Sequence, residues 1–176
     1  MRFIPWFILS LLFSTQIYAK QKTLSFCHAK FGPYSYVDST TGKSDGVNVE
    51  VLNLLAQKLN ISIIWHQLFW SDCIRATNKG AMDGMVSLYK TAERQRYLIY
   101  PEEFLHWDES VFYHRSDTSI FFDGSLISIA GKTVAVAENN SYGEEFDQSS
   151  LFRKYEALRG ESSVRMVIEG RVELGR

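Results

Sequence analysis

ISIIWHQLFWSDCIRATNKGAMDGMVSL, residues 61–88, holds two short apolar runs on either side of a segment with helical character. ISIIWH, 61–66, is short and β-branched, as a strand would be. SDCIRATNKG, 71–80, offers Ser71 as an N-cap and Gly80 as a helix stop, and leads into AMDGMVSL, 81–88, as another strand. Upstream, Val47, Val51, Leu54, Leu55 and Leu59 recur at helical spacing, so VNVEVLNLLAQKLN reads as an amphipathic helix. Before it, TLSFCHA, 23–29, alternates apolar and polar positions, and the loop between carries Gly32, Pro33, Gly42 and Gly46. Strand, helix, strand, helix, strand is the order of an α/β layer with a largely parallel sheet.

The chain has 176 residues, of which 45% are apolar and 14% aromatic, with a formal net charge of −1. That composition is globular. Lys and Arg are spread among a nearly equal number of acids rather than gathered on one basic face, so no nucleic-acid partner is expected.

Arg2 is followed by the apolar run FIPWFILSLLF, 3–13, then by polar residues and the small Ala19. This is the pattern of a secretory signal over residues 1–19, too short for a bilayer span. Cleavage after Ala19 would leave a mature chain starting at Lys20 in an exported, disulfide-permissive compartment. Two cysteines remain, Cys27 in a predicted strand and Cys73 in a predicted helix. Pairing and burial as free thiols are both open to them, and neither sits in a metal-ligand spacing, so no metal site is expected.

After Pro101 the helical periodicity stops, and FLHWDESVFYHRSD reads as extended chain leaving the first layer. A second unit starts near Gly131, with KTVAVAE as a strand, NNSYGEEFDQ as the start of a helix, and a helical stretch ending in IEGRVELG. KGAMDGM, 79–85, and EGRVELG, 169–175, both place a helix end, a Gly, two residues and an acid in that order. The echo suggests two related α/β lobes.

Thr91 precedes AERQRY and is a natural N-cap whose first turn leaves backbone N–H groups free, with Arg94 one turn in. A guanidinium beside such donors suits a small carboxylate, although an Arg on a short polar helix is equally well a solvated side chain.

The run GVNVEVLNLLAQKLN, the stretch KGAMDGMVSLYKTAERQRYLIYPE and the later GKTVAVAENNSYGEEF together resemble the extracytoplasmic solute-binding proteins of family 3. These are the amino-acid receptors of bacterial ABC importers. The resemblance implies an α/β, two-lobed periplasmic-binding-protein-like fold of type II, with lobe 1 over 20–114 and a partial lobe 2 over 115–176. It implies a periplasmic, non-enzymatic protein with no cofactor, an amino acid or related small carboxylate as ligand, and a membrane permease as docking partner. Arg94 would clamp the ligand's carboxylate. Phe31 and Trp70 would stack on it, and Ser87 and Tyr89 would offer strand-end contacts. Tyr89 departs from the Ser or Thr of many relatives, so a hydroxyl contact there would have a different geometry. His28 would read a ligand side chain, and Ser141 and Tyr142, in a segment with Asn140 where relatives have Gly, would complete the carboxylate site from the second lobe.

Family members generally continue past the second Gly-x-Val-acid strand and return through the hinge. On that ground the chain as given is expected to bind free amino acids poorly, and a truncated, non-functional fragment is one alternative. Others are a dehydratase-like enzyme, with Glu93 and Glu144 as the acids to test, and the sensor module of a receptor kinase.

Overall fold

The structure is a computed structural model that describes residues 21–176. The signal-like segment and its cleavage point at Ala19 lie outside the described residues. Strand β1, Lys22–His28, is followed by a small antiparallel hairpin of β2, Tyr36–Val37, and β3, Ser44–Asp45. Helix α1, Val47–Lys58, then leads to β4, Ile61–Gln67, α2, Trp70–Asn78, and β5, Gly84–Met85. The first sheet has the order β4-β1-β5 and is parallel throughout, with Lys22 opposite Ile61 and Phe26 opposite Gly84.

The second lobe repeats this plan. Strand β6, Thr133–Ala137, helix α3, Glu144–Gln148, strand β7, Arg153–Ala157, helix α4, Gly160–Ile168, and strand β8, Leu174–Gly175, form a parallel sheet in the order β7-β6-β8. Successive side chains on β6 face opposite ways, so Val134 and Val136 join Leu126, Ile129, Phe146, Phe152 and Leu174 on one side. Ala135 faces Ala157, Met166, Val167 and Val172 on the other.

The echo in the sequence is an echo in the backbone. Gly80 and Gly170 both end a helix with positive φ, 70° and 68°. In the next turn Ala81 N donates to Ala76 O at 2.8 Å, and Arg171 N donates to Met166 O at 2.9 Å. A left-handed residue after a helix is the usual stop, and glycine adopts it without a Cβ penalty.

Three local readings change, and one open question closes. Ser71 is not the cap of α2: the helix starts at Trp70, its N-cap is Phe69, and no side chain caps it. The apolar stripe of α1 is not its buried face. Asn48, Val49 and Ala56 turn inward, against β4 and the hairpin strand β3, while Val47, Leu54, Leu55 and Leu59 are exposed. Strand β7 was not anticipated, since RKYEA is mostly polar and lies at a sheet edge with its side chains largely outside the core. Finally, the question about the cysteines is settled: Cys27 and Cys73 form a disulfide between β1 and α2, Cα atoms 5.8 Å apart, and both residues are fully buried.

The extended segment after Pro101 carries the chain across. Phe112 already packs on the second core, and Tyr113 bridges Gly175 of β8 by two backbone hydrogen bonds, at 2.9 and 2.8 Å. A Cβ at Gly175 would collide with the Tyr113 ring, so this close pairing requires glycine. The Tyr113 hydroxyl hydrogen-bonds Ser163 Oγ of α4 at 2.8 Å.

Candidate ligand-binding site

Arg94 sits in a single 3-10 turn, Arg94–Arg96, just past the end of β5. The N-cap of this turn is Glu93 rather than Thr91, but Thr91 Oγ1 still accepts from Arg94 N at 3.2 Å. The Arg94 side chain does not lie in solvent: the residue is 6% exposed and its guanidinium faces the second lobe. Nη1 donates to Tyr89 O at 2.9 Å, and Nη2 donates to Asn139 O, in the loop after β6, at 2.8 Å. Trp70 lies alongside, its ring centroid 5.7 Å from the guanidinium carbon, and its Nε1 also donates to Asn139 O, at 3.0 Å. Tyr100 donates its hydroxyl hydrogen to Tyr89 O at 3.1 Å, steadying the carbonyl that holds Arg94.

Arg94, Trp70 and the main chain of Tyr89 are therefore brought together at the junction of the lobes. Other expected residues make contacts of their own. Ser87 takes a positive φ of 65°, and the fully buried Asn48 donates from Nδ2 to its Oγ at 2.6 Å. A non-glycine residue held there stores strain of about 1–3 kcal/mol, of the kind that clusters at binding sites. Asn48 Oδ1 accepts from Nδ1 of His106, on the crossing segment, at 3.2 Å. His106 stacks on Tyr34 with centroids 4.1 Å apart, and Tyr34 stacks on the exposed Phe31 at 5.2 Å. Phe31 is thus the outer end of an aromatic stack that ties the first loop to the crossing segment.

His28 is placed differently. It is fully buried, with Nδ1 donating to Ala29 O at 3.0 Å and Nε2 within 2.8 Å of Ser44 Oγ. Both ring nitrogens are engaged, Nε2 in fixing the hairpin to β1 and Nδ1 on the neighbouring carbonyl. In the second lobe, Ser141 Oγ donates to Asp147 Oδ2 at 2.5 Å and Tyr142 N donates to Asp147 Oδ1 at 3.0 Å. The carboxylate of Asp147 thus occupies the donors expected for a ligand. The Tyr142 hydroxyl accepts from Ala137 N at 2.8 Å.

Tyr89 has charged neighbours of its own, Asp108 and Arg176. The Tyr89 hydroxyl donates to Asp108, and burial followed by that carboxylate pushes its pKa up to about 12. Arg176 lies over the rings of Phe112 and Phe146, 4.6 Å from each centroid, and burial holds its pKa below the ordinary value. Among the described residues no group of three His, Cys, Asp or Glu could hold a metal, and no helix is long and apolar enough to cross a membrane.

Sequence reasoning passed over Asn139, Asn48 and Asp147. The Asn-Asn pair that follows β6 is a turn signal and could have marked the first. Asn48 and Asp147 carry no local mark, since their partners are distant or depend on how the loop folds back.

Two parallel α/β lobes joined by a crossing segment, with a buried arginine at their junction, define a periplasmic-binding-protein-like chain of type II. The chain belongs to the bacterial extracellular solute-binding proteins, family 3, whose sequence profile matches residues 26–166. No curated protein matches it significantly in sequence. Among solved structures it is similar to an ancestral arginine-binding protein bound to glutamine, at 18% identity and TM-score 0.63, over 88% of this chain and 68% of that one. It is also similar to the substrate binding protein of an amino acid ABC transporter, at 18% identity and TM-score 0.65, over 87% and 68%. A third is an ancestral amino acid-binding protein named as a precursor of cyclohexadienyl dehydratase, at 17% identity and TM-score 0.65, over 87% and 69%. At these identities the likeness is one of fold, and the chain spans about two thirds of the length of each.

Proposed function

We propose that this chain is a periplasmic solute-binding protein that captures an amino acid or similar small carboxylate between its lobes for ABC-type import. The observation that carries this reading is the state of Arg94. It is a buried cation whose partners are two neutral carbonyls and an indole face, and no carboxylate of the described residues pairs with it. A buried guanidinium without a counter-ion is costly unless an anion arrives, and its fork matches a carboxylate. Trp70 and Phe31 supply aromatic faces near the junction, and Ser87 and Tyr89 the strand-end backbone. Ser141, Tyr142 and His28 act behind the site, through the loop and hairpin they hold.

Glu93 and Glu144, the acids a dehydratase-like reading would use, are both exposed, which favours binding over catalysis. Export would follow from residues 1–19, and docking would be to a membrane permease. The test is calorimetric titration with the common L-amino acids, L-arginine and L-glutamine first. Binding that Arg94→Lys weakens supports the reading, and absence of heat across the whole panel sinks it.

A further inference from the structure

Asn139 O lies where two donors of the other lobe converge. Arg94 Nη2 reaches it at 2.8 Å and Trp70 Nε1 at 3.0 Å. Its direction has a local cause. Asn139 has a φ of 58°, and Asn140 N closes the turn onto Ala137 O at 3.2 Å. A left-handed residue in the third place of a turn is the type II arrangement, which Asn and Gly tolerate and β-branched residues do not. Glu138 N donates to Ala157 O at 2.8 Å, which ties this turn to β7. Beside it, the Arg159 guanidinium stands 4.5 Å from the ring centroid of Phe69, a second contact between the lobes.

We propose that Asn139 is the positioning residue of lobe closure. Its turn sets a second-lobe carbonyl on Arg94 and Trp70 in the place of a ligand carboxylate oxygen, so that a carboxylate enters by displacing it. This rests on the reading of Arg94 as a carboxylate clamp. A carboxylate makes the stronger, charge-assisted bond, so the exchange favours ligand. The neutral carbonyl still competes, because its contacts with Arg94 and Trp70 must break before those donors are available.

The test follows solvent exchange of the tryptophan indole N–H groups by NMR in the ligand-free chain. Two internal standards are present. Trp65 Nε1 donates to Asn53 Oδ1 at 2.9 Å wholly within the first lobe, and Trp107 is 82% exposed. Trp70 should exchange at least about ten-fold more slowly than Trp107, as a hydrogen bond of roughly 1.4 kcal/mol requires. Asn139→Gly should keep that protection, since glycine adopts the same φ, and Asn139→Val should abolish it while Trp65 stays slow. Exchange of Trp70 as fast as Trp107 in the unmodified chain overturns the proposal. So does unchanged protection in Asn139→Val. Should Trp65 also lose protection in the valine variant, Asn139→Ala, with its smaller backbone penalty, replaces it: partial loss at Trp70 supports the proposal and none overturns it.

These measurements need no ligand, so they can fail while the clamp stands. L-arginine tests the displacement. Faster Trp70 exchange when L-arginine is bound supports it, and unchanged exchange with calorimetric binding overturns it. No L-arginine binding to the unmodified chain counts against the clamp, and the displacement falls with it.

Discussion

Asp83 and Glu173 hold equivalent places in the two lobes, each accepting a hydrogen bond from the backbone of its lobe's central strand. Asp83 Oδ2 receives Ser25 N at 2.8 Å, and Glu173 Oε2 receives Thr133 N at 3.0 Å. Each acid also donates its own backbone N–H to the same residue's carbonyl, at 2.8 and 3.2 Å. Side chain and main chain together therefore fix the register of a third strand that is only two residues long in both sheets.

Glu173 makes this arrangement sensitive to acid. The hydrogen bond from Lys132 Nζ, then those from Thr133, hold its carboxyl below the ordinary 4.5. A carboxyl lowered by folding contributes stability that is fully present above its unfolded pKa and lost as pH falls through the folded one. Melting of the second lobe should therefore fall as the pH drops below about 4.5, and Glu173→Gln should flatten that part of the profile. The side chain is 41% exposed, so the loss should stay below about 1 kcal/mol. A profile unaltered by Glu173→Gln would refute this.

Arg94→Lys should weaken amino-acid binding about ten- to a hundred-fold, as expected from losing a charged hydrogen bond of roughly 1.5–3 kcal/mol. Lys keeps the charge without the fork. Arg96→Lys, at an exposed position in the same turn, should leave affinity unchanged. Equal effects of the two substitutions in calorimetry would contradict the role given to Arg94.

Reducing the Cys27–Cys73 disulfide should destabilise the first lobe. A cross-link between residues separated by 46 positions is worth up to about 4 kcal/mol of lost unfolded-chain entropy. Urea unfolding with and without reductant measures it. A thiol reagent should find nothing to modify in the unreduced protein, even unfolded, since both cysteines are bonded.

Asn48→Ala should cost about 1–3 kcal/mol, because it leaves Ser87 Oγ and His106 Nδ1 without the partner that now serves both. The urea midpoint would fall accordingly. An unchanged midpoint would mean that water replaces the amide at no cost.

Protein exported from a bacterial host should begin at Lys20, since a small residue, Ala19, follows the apolar run. Intact mass decides this. A mass that includes residues 1–19 would rule out cleavage there.

The sequence by itself determined the fold class and most of its elements. Helix periodicity, β-branched runs and glycine stops are local signals, and they located β1, α1, β4, α2, β5 and β6 as well as the repeated helix-Gly-acid stretch. It also pointed to Arg94 and to the Thr91 hydroxyl that accepts its backbone N–H, because a contact three residues apart is decided within one turn. The tertiary structure alone decided which face of α1 is buried, since an apolar stripe shows that a helix can be covered but not by what. It alone paired Cys27 with Cys73, because that bond depends on how closely α2 lies over β1. The part played by Asn139 was decided by folding as well, although the Asn-Asn pair marks a turn there. Its carbonyl matters because two donors far away in sequence reach the same point, and convergence of that kind leaves no trace in local spacing.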